Sequence, residues 1–139
     1  MMNKNSKIVV MGAGAVGAYF GGLLARAGRD VTLIARRNHV QAICEKGLFI
    51  DSKDFQDYVP IQASTELTAI SSANIVLLCV KSPDTEKVIQ DIKPYLKNDA
   101  VILSLQNGVD NCARIRSLVN NRAFSTVVYV AVGMMARGM

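Results

Sequence analysis

Residues 9–28 have the sequence VVMGAGAVGAYFGGLLARAG, and this stretch decides the fold. A β-branched apolar run that begins at residue 7 leads into Gly12, Gly14 and Gly17, which have the spacing GxGxxG. Beyond them, apolar residues recur at intervals of three and four as far as Gly28, which is the pattern of an amphipathic helix. A second apolar run, VTLIA, occupies residues 31–35. The stretch therefore predicts a strand, a glycine loop, a helix and a second strand, which together make a βαβ unit.

The rest of the chain continues to alternate apolar strands with helical patterns. We predict a helix that begins near Asp84 or Thr85, with one of these two residues as its N-cap. Two short strands, with a hairpin as one arrangement, are expected within residues 48–61. The other predicted helices are at residues 38–46, 65–72 and 109–119, and the other predicted strands are at residues 75–80, 100–105 and 124–132. This alternation indicates one α/β domain over residues 1–139, built on a Rossmann-like, doubly wound and mainly parallel sheet.

The composition argues against several classes of protein. Half of the residues are hydrophobic and 19% are charged, which is typical of a chain with a packed core. The net charge of +5 is the balance of 16 Lys and Arg against 11 Asp and Glu, and because the basic residues are dispersed we expect no nucleic-acid partner. A single histidine and three separate cysteines argue against a metal site and favour a reducing, cytoplasmic compartment. The sequence shows neither a signal peptide nor an apolar run suited to a membrane span.

The glycine loop predicts a dinucleotide site, because each glycine has a physical role there. Gly12 permits the tight turn, Gly14 lets a pyrophosphate approach the backbone, and Gly17 lets the helix pack close to the sheet. The helix N-terminus offers free N–H groups and a partial positive charge to the phosphates. The alternative is a helix–sheet packing motif without a ligand. The loop residues that we expect at the cofactor are Gly12, Ala13, Gly14, Ala15, Val16 and Gly17.

The end of the second strand favours one of the two nicotinamide cofactors. NAD-binding domains usually carry an acidic residue about 20 residues after the loop, where it holds the ribose 2′-hydroxyl. This chain instead has Ala35, Arg36 and Arg37. A guanidinium can pair with a 2′-phosphate, which a carboxylate would repel. We therefore predict NADP(H) as the cofactor, with Arg36 as the first candidate for the 2′-phosphate and Arg37 as the second. The alternative is that both are ordinary surface charges.

Two polar residues follow later strands. Lys81 comes directly after IVLLCV, and Asn107 comes after AVILSLQ. Ligands of open α/β sheets bind beyond the carboxyl ends of the strands, which makes both residues candidates for the site. Each also has an ordinary explanation, because Asn-Gly is a common turn and lysine often follows a strand.

Four segments resemble, in this order, the N-terminal domain of ketopantoate reductase (2-dehydropantoate 2-reductase): GAGAVGAYFGGLLARAG, VTLIARR, LLCVKSPDTEKVI and ILSLQNGVDN. The resemblance covers nearly the whole chain. It implies that the glycine loop binds the NADPH pyrophosphate and that Arg36 binds the 2′-phosphate. It further implies that Lys81 and Asn107 lie at the cofactor, and that Asn107 also contacts the substrate. Another cofactor contact is expected near Gly133 or Met134.

The resemblance also implies an activity, namely hydride transfer from NADPH to the ketone of 2-dehydropantoate, which gives pantoate for coenzyme A synthesis. Family members carry the general-acid lysine in a second, helical domain, so we expect the proton donor to be missing from these 139 residues, with Lys81 as the only candidate near the site. We expect a truncated chain first, and a part completed in trans or a nonenzymatic NADP(H)-binding module as alternatives. Without the helical domain, an exposed apolar surface would favour a homodimer. A reductase of another small 2-keto acid also stays open.

Overall fold

The computed structural model describes residues 6–12, 14–51, 53, 55–106 and 110–125. The helices in this part of the chain are α1 (Ala15–Arg26), α2 (Arg37–Lys46), α3 (Thr85–Ile92) and α4 (Asn111–Arg116). The strands are β1 (Lys7–Met11), β2 (Asp30–Ile34), β3 (Leu48–Asp51), β4 (Gln56–Val59), β5 (Gln62–Ser64), β6 (Ile75–Leu78), β7 (Val101–Ser104) and β8 (Ala123–Ser125). Short 3₁₀ turns cover Leu67–Ser72, Ser82–Asp84 and Lys93–Tyr95.

The main sheet is parallel at every described pairing, and its strand order is β5-β2-β1-β6-β7-β8. The chain moves outward from β1 to β2 and β5, then returns to pair β6 with the other side of β1. This doubly wound, Rossmann-like order confirms the predicted fold class. It also creates a switch point between the carboxyl ends of β1 and β6, where ligands of such sheets bind.

Both faces of the sheet are buried. Neighbouring residues of a strand show this, because their side chains point to opposite faces. Val9 and Val10 illustrate this, since both side chains are fully buried but belong to different cores. Val9 lies in the core that includes residues of α3 and α4. Val10 lies in the core that includes residues of α1, α2 and the β3–β4 hairpin. Helices therefore cover both faces of the sheet. The two cores hold the sheet, and with it the carboxyl edge, in a fixed position.

Several predicted boundaries differ from the structure. The hairpin is confirmed, with the rings of Phe49 and Tyr58 5.0 Å apart across β3 and β4. The predicted strands missed β5, a three-residue edge strand of sequence QAS without the apolar pattern of its neighbours. The predicted helix at residues 65–72 is the 3₁₀ turn Leu67–Ser72, and the last predicted helix is the shorter α4. The structure describes the predicted strand 124–132 only as far as Ser125, which is the last residue of β8.

The predicted N-cap of α3 is confirmed at Asp84, although the Asp84 side chain makes no cap hydrogen bond. Thr85 is the first residue of the helix, and its side chain is fully buried. The Thr85 hydroxyl instead belongs to a polar network beneath the loop that follows β6.

Candidate functional site

The glycine loop turns sharply at the end of β1. Gly12 has a φ of +97°, a backbone conformation that L side chains rarely adopt. A Cβ atom at this position would lie 3.0 Å from Cγ1 of Val80 and 3.2 Å from the carbonyl carbon of Cys79. The loop therefore rests directly against the residues that follow β6.

Gly17 and Gly14 have opposite surroundings. A Cβ atom on Gly17 would lie 2.3 Å from the carbonyl oxygen of Gly12 and 3.1 Å from Cγ1 of Val10. Only glycine therefore lets α1 begin this close to the sheet. A Cβ atom on Gly14 would meet nothing within 4 Å, and this residue is exposed. The loop is thus tightly packed underneath at Gly17 and open above at Gly14, which leaves room for a ligand at the backbone.

The N-terminus of α1 is electrostatically suited to an anion. Gly14 is its N-cap and offers no side-chain hydrogen bond, and the first turn contains no acidic residue. The first N–H groups of any helix lack intrahelical partners, and the helix dipole adds a partial positive charge. Ala15 and Val16 begin this helix. A diphosphate could therefore accept hydrogen bonds from this turn without displacing a side chain.

Both candidate arginines lie at the carboxyl end of β2, the strand next to β1. Arg36 is the N-cap residue of α2 and Arg37 is its first helical residue, and both are exposed. Within the described part of the chain, neither guanidinium takes part in an ion pair. The first turn of α2 also contains no acidic residue. The strand end is therefore a positive surface beside the glycine loop.

Lys81 lies on the other side of the glycine loop, after β6. Its side chain is exposed, and its neighbour Val80 contacts Gly12. The structure thus brings the glycine loop, Arg36 and Lys81 to the same edge of the sheet, on β1, β2 and β6. The other predicted site residues, Ala13, Asn107 and Met134, lie outside the described residues.

A polar network that no sequence pattern had indicated joins the ends of β6 and β7. The side-chain amide of Gln106 donates to the carbonyl of Val80 at 3.1 Å and to the hydroxyl of Thr85 at 2.6 Å. Ser104 donates to the carbonyl oxygen of the same amide at 2.8 Å. Thr85 and Ser104 are almost completely buried. Both N–H groups of Gln106 therefore have partners, and the amide has one defined orientation.

The network extends to α4 through Arg114. Its guanidinium donates to Oδ1 of Asn111 at 3.2 Å and to the carbonyl of Ser82 at 2.7 Å, and it holds both carboxylate oxygens of Glu86. This hydrogen-bonded pairing lowers the pKa of Glu86 from 4.5 to about 2. Thr85 also donates to Asn111, at 3.4 Å. A planar guanidinium suits this task because it presents several donors in a fixed fork.

Cys79 lies beneath the glycine loop. Its Cβ atom is 3.2 Å from the position that a Cβ atom on Gly17 would take. Burial raises the pKa of the Cys79 thiol from 9.0 to about 12. The side chain is therefore a neutral packing group in this place and not a nucleophile.

Two further kinds of site were sought in the described residues. There, no group of three or more His, Cys, Asp and Glu side chains is arranged to hold a metal ion. Of the helices described, none is both long enough and apolar enough to cross a membrane.

Comparison with known proteins identifies relatives of this chain. The profile of the family "Ketopantoate reductase PanE/ApbA" matches residues 8–138. A 2-dehydropantoate 2-reductase of Pyrococcus abyssi is 42% identical over 106 residues, which are 76% of this chain and 34% of that protein. The crystal structure of a PanE/ApbA family ketopantoate reductase from Ralstonia eutropha JMP134 is 48% identical, with a TM-score of 0.91 over 95% of this chain and 44% of that one.

A second solved relative is a different kind of dehydrogenase. The ternary structure of a D-mandelate dehydrogenase with NADH and anilino(oxo)acetate is 28% identical, with a TM-score of 0.83 over 95% of this chain and 43% of that one. The chain thus spans about a third of the length of the first curated relatives it matches, and under half of these solved chains. With a family profile matched from residue 8 to residue 138, the chain belongs to the PanE/ApbA ketopantoate reductase family.

Proposed function

We propose that this chain binds NADP(H) at the carboxyl edge of its sheet and serves as the cofactor-binding part of an enzyme that reduces 2-dehydropantoate to pantoate. The observation that carries the proposal is the pairing of an open helix N-terminus with a basic strand end. Gly14 leaves the first turn of α1 accessible, and Arg36 lies at the end of the adjacent strand without an acidic neighbour in the first turn of α2.

Each part of this edge fits one part of the cofactor. The backbone of residues 12–17 would hold the pyrophosphate, with Gly14 giving the closest approach. Arg36 would pair with the 2′-phosphate, with Arg37 beside it. Lys81 and Asn107 would lie toward the nicotinamide, and Met134 would add a further contact.

The bound cofactor would supply the hydride, and the contribution of the chain is orientation and charge. An exposed ammonium at Lys81 can stabilise the negative charge that develops on a ketone oxygen as it is reduced. The side chain of Asn107 can hold the keto acid by hydrogen bonding. Residues 1–139 would act as the NADP-binding domain in the cytoplasm. The contacts that complete catalysis would come from a helical substrate domain or from a partner chain.

The cofactor proposal is tested by Arg36→Ala. Loss of a hydrogen bond to a charged group costs about 1.5–3 kcal/mol, so NADPH should bind more weakly by that amount. The affinity for NADH, which has no 2′-phosphate, should hardly change. Calorimetric titration with both nucleotides measures the difference directly.

Arg122→Ala is the matched control, because Arg122 is exposed and precedes β8, at the opposite edge of the sheet. It removes the same charge and should leave both affinities unchanged. Equal weakening of NADPH and NADH by Arg36→Ala would refute the 2′-phosphate assignment. Wild-type protein that prefers NADH would refute the choice of NADP(H).

Turnover is tested by following NADPH oxidation with 2-dehydropantoate, with and without an added helical domain from a full-length relative. Tight NADPH binding without turnover in either case would leave a nonenzymatic NADP(H)-binding module as the function. The likeness to a D-mandelate dehydrogenase favours, as the second candidate, a reductase of another 2-keto acid. An aryl-substituted 2-keto acid reduced faster than 2-dehydropantoate would support that candidate.

A further inference from the structure

The backbone on both sides of Lys81 is held by hydrogen bonds at three successive carbonyl groups. The carbonyl of Val80 accepts from Nε2 of Gln106 at 3.1 Å. The carbonyl of Lys81 accepts from the N–H of Asp84 at 2.9 Å. The carbonyl of Ser82 accepts from Nη2 of Arg114 at 2.7 Å. The loop after β6 therefore has little freedom to turn about the Lys81 backbone.

Two of these three donors come from a different part of the sheet. Gln106 follows β7 and Arg114 belongs to α4, so each side chain bridges from the β7–α4 region to the loop after β6. Each donor is itself fixed by other partners. Gln106 is bonded by Ser104 and Thr85, and Arg114 is held by the carboxylate of Glu86.

A network of polar side chains is not needed to stabilise this part of the fold. Buried hydroxyl and amide groups must all find partners, and apolar residues of similar size could fill the same space without that demand. The network nevertheless directs donors at the two carbonyl groups that flank a lysine whose own side chain is exposed.

We propose that Gln106 and Arg114 are positioning residues, which fix the direction of Lys81 toward the nucleotide bound at the glycine loop. The inference rests on the proposed function, because it needs a nucleotide at this edge and a contribution of Lys81 to its binding. It goes further by assigning two residues that would act only through Lys81.

The test is a double-mutant cycle on NADPH affinity, measured with the whole chain. Arg114→Lys keeps the charge but cannot hold the Glu86 carboxylate and the Ser82 carbonyl together. Gln106→Met keeps the size and removes the amide donors. Each variant should weaken NADPH binding about tenfold while Lys81 is present, and less than about twofold in a Lys81→Met background. A purely structural role would give the same loss in both backgrounds.

Arg116→Lys is the matched control. Arg116 also lies on α4 and also donates from its guanidinium to a backbone carbonyl, but its acceptor is Ala123 at the start of β8. It should lower the free energy of unfolding through loss of that bond and leave NADPH affinity unchanged. Gln106→Met leaves the buried hydroxyl of Ser104 without its acceptor. If that variant does not fold, Arg114→Lys alone decides the result.

The outcomes separate this inference from the proposed function. Wild-type binding that depends on Lys81 but not on Arg114 overturns the positioning role and leaves the cofactor proposal intact. Equal losses with and without Lys81 also overturn it. Binding that is unaffected by Lys81→Met overturns the inference at its first step. A wild-type chain that does not bind NADPH overturns the proposed function and the inference together.

Discussion

Replacement of single glycines in the loop should separate its structural role from its binding role. In Gly17→Ala, the new methyl carbon would lie 2.3 Å from the carbonyl oxygen of Gly12, well inside the distance that real Cβ atoms keep. That oxygen belongs to the backbone, so the start of α1 has to move away from the sheet. In Gly14→Ala, the new methyl group meets nothing within 4 Å.

The free-energy changes follow from these distances. Overpacking costs about 1–3 kcal/mol, and a clash with backbone belongs at the upper end of that range. Ala is preferred over Gly inside a helix by about 1 kcal/mol, which leaves a net destabilisation of about 2 kcal/mol for Gly17→Ala. Gly14 has a φ of −72°, which alanine also adopts, so Gly14→Ala loses only its N-cap preference, at most about 1 kcal/mol.

Gly14→Ala should change nucleotide affinity more than it changes stability. The methyl group of Gly14→Ala would occupy the space where a pyrophosphate approaches the backbone, and should weaken NADPH binding by about 1–3 kcal/mol through overpacking of the complex. Urea unfolding measures the free energy of unfolding, and calorimetric titration measures the NADPH affinity. Gly17→Ala protein as stable as wild type would refute the close contact of α1 with the sheet. Gly14→Ala protein that binds NADPH at full strength would refute the placement of the pyrophosphate.

Two further predictions concern titratable groups. Because Arg114 lowers the pKa of Glu86 from 4.5 to about 2, their pairing stabilises the fold above pH 4.5 and its contribution is lost as the pH falls toward 2. Glu86→Gln should therefore flatten the pH dependence of the free energy of unfolding, measured in urea, between pH 4.5 and 2. The change should be small because the pair is partly exposed. An unchanged pH dependence would contradict the pairing of Glu86 with Arg114. The exposed Cys44 should react quickly with Ellman's reagent at about pH 8, whereas Cys79, with its pKa raised to about 12, and the buried Cys112 should react only on unfolding. Rapid reaction of a second thiol in the native protein would contradict the inaccessibility expected for Cys79 and Cys112.

The sequence predicted the fold well because its signals were local. The glycine loop, the continuous apolar strands and the glycines that follow the first two helices, Gly28 and Gly47, each depend on residues within a few positions of one another. Both glycines have positive φ, as the expected helix ends require. β5 was missed because its three residues carry no apolar pattern, and its pairing with β2 depends on position in the sheet. The family assignment also agrees with the predicted cofactor class, because ketopantoate reductases depend on NADPH.

The supports of the site could not be predicted in the same way. Gln106 is 26 residues from Val80 and 21 residues from Thr85, and Arg114 is 32 residues from Ser82. In the sequence, Thr85 was an ordinary candidate for a helix cap, because a hydroxyl at a helix start usually bonds the local backbone. Its burial beside Gln106 and Asn111 gave it different partners. Polar residues at the end of a buried strand, here Ser104 and Gln106, are the one signal that could have found this network.

The carboxyl edge of the sheet thus combines two requirements that act on different residues. The proposed nucleotide site needs open backbone and free charge above the sheet, and Gly14, Arg36 and Lys81 are the exposed groups that we propose for it. Those groups would keep a fixed spacing only if the layer below is rigid, and the contact at Gly17 and the hydrogen bonds of Gln106 would supply that rigidity. Substitutions in the upper layer should therefore change affinity with little effect on stability. Substitutions in the lower layer should change both, since a displaced support also displaces the groups that it holds.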